Sequence, residues 1–116
     1  MPAINYHNRV FRSVDSTPNG EVDAETSFYY QQEGNLVTAT YSGGDIRWGM
    51  LLALADAAGN LTMRYQHLNQ QHEFRTGICL TTPEVLSDGR LRLHERWQWT
   101  SGDQSAGHSV LEEVLT

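Results

Sequence analysis

The chain has one cysteine, Cys79, in 116 residues. An internal disulfide is therefore excluded, and the core alone must hold the fold. No signal-peptide pattern is visible, and with a single thiol this points to the cytoplasm. No apolar run approaches the roughly 18 residues of a membrane span, so no membrane association is expected. Basic charge is scarce: 14 Asp and Glu stand against 8 Lys and Arg, a formal charge of −6. A nucleic-acid module would carry a basic patch, and none is expected to bind here. The one local stripe, Arg90, Arg92 and Arg96 around His94, reads as the solvated face of a strand.

Catalytic and metal motifs are missing too. The histidines His7, His67, His72, His94 and His108 include no His-x-His pair, and Cys79 has no partner thiol, so no metal is expected. Cys79, set among Gly77, Ile78 and Leu80, reads as a small buried hydrophobe. No Ser or Cys sits in a nucleophile elbow, and no cofactor is expected. The length suits one domain, residues 1–116, able to bury a real core without staples.

No long segment has a clean helical period. What the chain does have is turn signals, frequent and even: Asn19-Gly20, Glu33-Gly34-Asn35, Gly43-Gly44-Asp45, Ala58-Gly59-Asn60, Asn69 to His72, Asp88-Gly89 and Ser101-Gly102-Asp103. Gly and Asn accept the positive φ that tight hairpins need. Between them lie runs rich in Val, Thr, Tyr, Trp and Leu. These predict strands near 9–14, 24–32, 35–42, 45–55, 60–68, 73–82, 90–100 and 106–115. The last, "SVLEEVLT", also suits a short helix, but a barrel needs a closing strand. The expected fold is all-β: a single antiparallel up-and-down meander of about eight strands closing into a barrel. A mean hydropathy of −0.50 agrees, because each strand gives only alternate residues to a core.

Three stretches, "GNLVTATY", "GNLTMRYQH" and "GRLRLHERW", share an opening Gly followed two residues later by Leu. Aligning Leu36, Leu61 and Leu91 as one inward layer predicts three inward rows: Leu36, Thr38, Thr40; Leu61, Met63, Tyr65, His67; and Leu91, Leu93, Glu95, Trp97, Trp99. The returning fourth and sixth strands are expected to contribute Trp48, Met50, Leu52, Leu54 and Phe74, Thr76, Ile78, Leu80. The barrel is then plugged by leucine at one end. At the other it is lined by Trp48, Tyr65, His67, Glu95, Trp97 and Trp99. Glu95 is the anomaly of this map, since a carboxylate in an apolar row must find a partner or raise its pKa. Its candidate partners are Arg64, Tyr65 and His67.

The stretches "NRVFRSVDSTPNGEV", "EGNLVTATYSGGDI", "MRYQHLN", "TGICLTTPE" and "GRLRLHERWQWTSGDQSAGHSVLEEV" resemble a family of small, largely uncharacterised bacterial proteins. Some of its members carry the label N-acetylglutamate synthase. The common acetyltransferase fold needs a helix-rich α/β domain and a Gly-rich pyrophosphate loop at a helix N-terminus, and neither is present here. In architecture the chain is similar to the calycin group of lipocalins and avidins. The C-terminal order of a Trp-bearing strand, a "TSG" turn and a final strand is similar to the avidin pattern. That resemblance implies an up-and-down barrel.

An eight-stranded barrel is just wide enough to be filled by side chains or to hold one small ligand. The leading functional expectation is binding of a small, partly apolar ligand in the barrel mouth, with an amine or hydroxyl to meet Glu95. Two alternatives stand beside it. One is an enzyme on a calycin-like scaffold, with Glu95 and His67 as acid and base. The other is a protein-interaction module with a filled barrel. A monomer or a homodimer is expected.

Overall fold

In a computed structural model the described residues are 4–115. The expected single domain 1–116 thus has residues 1–3 and 116 outside them. Eight strands follow one another: β1 (Arg9–Ser16), β2 (Ser27–Glu33), β3 (Leu36–Gly43), β4 (Ile46–Ala55), β5 (Leu61–Asn69), β6 (Phe74–Val85), β7 (Leu91–Trp99) and β8 (Ala106–Glu113). Each pairs antiparallel with its sequence neighbour, and β8 pairs with β1, so the sheet is a closed barrel without free edges. The ambiguous last segment is a strand over Ala106–Glu113, because its backbone completes both the β7 and the β1 ladders. Most turns carry the anticipated glycines, with positive φ at Gly34, Gly44, Gly59, Gly89 and Gly102. Among the described residues no helix is long and apolar enough to cross a membrane.

The core is graded along the barrel axis. One end is closed by Leu61, Leu91, Leu93, Leu111, Phe11 and Val37, all fully buried. An N-terminal plug completes it. Ile4 and Tyr6 turn into the barrel, and the Tyr6 hydroxyl donates to the Gly59 carbonyl. The β5 and β7 rows face inward as expected.

The rows assigned to β3, β4 and β6 are corrected by one residue. Leu36, Thr38 and Thr40 point away from the core, which takes Val37, Ala39 and Tyr41 instead. In β4 an extra residue sits between Ile46 and Trp48 opposite β5. This bulge reverses the alternation, so Ile46 is buried while Trp48, Met50, Leu52 and Leu54 are exposed. In β6 the inward residues are Gly77, Cys79 and Thr81, and Phe74, Ile78 and Leu80 lie outside.

Volume explains the choice. The interior already holds Phe28, Tyr30, Tyr41, Tyr65 and two indoles, so facing positions must be small. A Cβ on Gly49 would lie 2.5 Å from Tyr41 Cζ, and one on Gly77 would run into the end of the Tyr65 ring. Both phases of "WGMLLALA" are apolar, and only the tyrosines across the strand decide which phase turns inward.

The arginine stripe of β7 lies on the outer face. Arg92 pairs with Glu112 at 2.8 Å and Arg90 with Asp88 at 2.7 Å, while His94 bonds Glu84 at 2.8 Å.

Candidate functional site

The end of the barrel opposite the leucine plug is covered by the β1–β2 loop, residues 17–26. Beneath it is a cavity of about 40 Å³, bounded by Gly20, Glu21 and Val22 from the loop and by Phe28, Tyr41, Leu51, Met63, Tyr65, His67, Cys79, Glu95, Trp97, Trp99 and Ser109 from the strands. Of the six residues expected to line the mouth, five are brought together here. Trp48 is not, because the β4 bulge places it on the outer surface at 51 % exposure.

β7 supplies the main wall by plain alternation. Trp97 donates its indole N–H to Ser109 Oγ at 2.9 Å, and Trp99 donates to the Asn19 carbonyl at 3.1 Å. Both indoles are thereby fixed, their centroids 5.4 Å apart. Tyr65 meets Trp99 edge-on at 5.8 Å. Gly20 and Gly107 leave room for Trp97, since a Cβ on Gly107 would lie 2.5 Å from its ring.

His67 holds the lid rather than the cavity floor. Its Nε2 donates to Glu21 Oε1 at 2.7 Å, and its Nδ1 accepts from the Tyr41 hydroxyl at 3.0 Å. A proton on Nε2 is the tautomer that satisfies both partners. Burial lowers the His67 pKa below its ordinary value, with the Glu21 hydrogen bond and charge pulling the other way. Glu21 also accepts from Arg75 at 3.0 Å and Asn69 at 3.2 Å, and the Arg75 guanidinium lies 4.3 Å above the Trp99 ring. The lid is thus tied to β5 and β6 through one carboxylate.

Glu95 faces inward at 9 % exposure, flanked across the strands by Thr81 and Ser109. Its protein hydrogen bond is a long one, from Thr81 Oγ1 at 3.4 Å. Neither Arg64 nor His67 reaches it. Arg64 points outward to the Met63 carbonyl, and both ring nitrogens of His67 are taken. Burial raises the Glu95 pKa to about 7, against a small lowering by Thr81. Burial, reinforced by the Glu95 charge, likewise raises the pKa of Tyr6, Tyr30, Tyr41, Tyr65 and Cys79. Near neutral pH Glu95 exists in both forms, so it can accept hydrogen bonds as a carboxylate or donate one as an acid.

Sequence reasoning missed the lid and the polar belt. Glu21 sits in a segment, "TPNGEV", that reads only as a turn, and strand register brings Tyr41 and Ser109 to the cavity and Thr81 against Glu95. Ser109 comes opposite Glu95 only through the antiparallel register of β7 and β8, which no local pattern in "AGHSVLEE" announces.

A closed, eight-stranded up-and-down barrel with an aromatic cavity under a loop at one end is the architecture of an avidin-type calycin. The Avidin-like protein family model matches residues 4–114, nearly the whole chain, and the chain belongs to that family. No curated protein and no solved structure matches it.

Proposed function

We propose that this avidin-like barrel binds one small, partly apolar molecule in its interior, under the β1–β2 loop. The observation that carries the reading is the combination of a lined cavity with a buried, poorly partnered carboxylate in its wall. Ligand sites are mostly apolar walls with a few convergent polar groups, and this cavity fits that description. Tyr65, His67, Glu95, Trp97 and Trp99 are the proposed contact residues.

The cavity of about 40 Å³ has room for roughly three waters, so a larger ligand enters with displacement of residues 17–26. The acid–base pairing of Glu95 with His67 finds no support, because His67 is committed to Glu21 and Tyr41. A reducing compartment such as the cytoplasm suits a chain whose one thiol is buried and free.

A melting-temperature screen of small apolar and amphipathic compounds tests the reading, with Trp97→Phe and Trp99→Phe as controls. A true ligand raises the wild-type melting temperature progressively, with the logarithm of its concentration once above the dissociation constant, and alters tryptophan emission, and each variant weakens both responses. Ligands whose effects survive both variants unchanged would place binding elsewhere.

A further inference from the structure

Among the described residues Glu95 is the only buried carboxylate, and no cation accompanies it. The chain's basic residues are all arginine, and the one that touches the cavity wall, Arg75, is paired with Glu21 and stacked on Trp99 at the mouth, its buried Nε–H left without a partner. The titratable groups that feel the Glu95 charge are Cys79 of β6, Tyr30 of β2, Tyr41 of β3, Tyr65 of β5 and Tyr6 of the plug. All are held neutral by burial. Ser109 of β8 and Leu51 of β4 add no charge. The Tyr30 hydroxyl is itself buried without a hydrogen-bond partner. Two buried polar groups are therefore under-satisfied in the same interior, where native proteins leave few such groups.

Resting on the reading that the interior binds a small molecule, we propose that its ligand is an organic ammonium ion: the charged amine docks on the Glu95 carboxylate, and the apolar body lies between Trp97, Trp99 and Tyr65. A buried carboxylate is costly, and an opposite charge offsets that cost in a way a neutral N–H or O–H donor does not. Tryptophan and tyrosine rings also present negative faces, which attract a cation and gain nothing comparable from a neutral head group. An anionic head group would meet repulsion from the ionised Glu95, the form that an ammonium favours. The ammonium carries three donors, enough to serve both oxygens of the Glu95 carboxylate.

The probes are ethylammonium and benzylammonium, with ethanol and benzyl alcohol as their neutral counterparts. Each is titrated into wild type and Glu95→Gln by calorimetry and tryptophan fluorescence. Expected is at least tenfold tighter binding of an ammonium than of its alcohol in wild type, with that preference lost in Glu95→Gln. Wild-type affinity for the ammonium should fall toward tenfold per pH unit below about 7, as Glu95 takes up its proton. That series stands without the variant, and in Glu95→Gln the component tied to this titration should vanish. Equal affinity for amine and alcohol, or an ammonium affinity indifferent to Glu95→Gln, overturns the ammonium assignment and leaves interior binding standing. No binding by any of the four probes overturns both.

Discussion

Glu21 Oε1 accepts a 2.7 Å hydrogen bond from His67 Nε2, joining the β1–β2 loop to the barrel wall 46 residues away in sequence. The same carboxylate holds Arg75 and Asn69, so it is the single fastening point of three strand side chains. Glu21→Ala leaves a buried imidazole N–H without an acceptor and should cost roughly 1–3 kcal/mol. Amides of residues 17–26 should exchange with deuterium markedly faster, while those of β7 keep their order of protection. Unchanged exchange in the loop would mean that its other ties hold the lid without Glu21: Asn19 to Ser105, Ala106 and Trp99, Thr17 to His108, and Thr26 to Gly43.

Glu95 makes stability fall with rising pH. The native state keeps the Glu95 proton up to about pH 7, whereas the unfolded chain releases it near 4.5. Across that window the native state binds more protons, so each step up in pH favours unfolding, and the full penalty is present above about pH 7. Glu95→Gln removes the titration. It should stabilise the protein by up to about 3 kcal/mol at pH 8 and by almost nothing at pH 4.5. Urea titrations of both proteins at the two pH values measure the difference, and a gain equal at both would assign it to packing instead of charge.

Gly77 lies directly beneath the Tyr65 ring, its cross-strand partner. Gly77→Ala forces the tyrosine out of its rotamer or the strands apart, and overpacking of this kind costs about 1–3 kcal/mol. Thermal melts of Gly77→Ala and of the double variant Gly77→Ala with Tyr65→Ala check it. The smaller side chain at 65 should remove the clash with the ring and leave only the 2.8 Å approach to the Gln98 carbonyl, so the two costs should fall short of additive.

The three tryptophans divide into one outside and two inside: Trp48 is 51 % exposed, Trp97 8 % and Trp99 3 %. Acrylamide should therefore quench one fraction of the emission readily and the rest poorly. Trp48→Phe should remove the quenchable fraction and change stability by no more than about 0.5 kcal/mol, as surface substitutions do. A large loss of stability would restore Trp48 to the interior and remove the β4 bulge.

The meander was legible because turn chemistry is local. Asn-Gly and Gly-Gly pairs need no tertiary partner to favour a reversal, and they bracket runs of the right length and composition. Five residues of the cavity wall were legible for a related reason. In β5 and β7 only one of the two phases is apolar, so Tyr65, His67, Glu95, Trp97 and Trp99 could face in one direction only. Trp48 was misplaced because β4 is apolar in both phases and carries an extra residue that no local rule announces.

By itself, then, the sequence determined the number of strands, their antiparallel order and the inward face of the strands with polar alternates, all of which follow from short-range backbone preference and period-two patterning. Tertiary structure alone decided the rest. Which face of β4 and β6 turns inward depends on the volume of tyrosines on the strands paired with them, Tyr41 opposite Gly49 and Tyr65 opposite Gly77. The partner of His67 depends on a loop whose own sequence is silent. Glu95 is left without a cation because barrel closure buries it among neutral hydroxyls and a thiol, and closure is a property of all eight strands together.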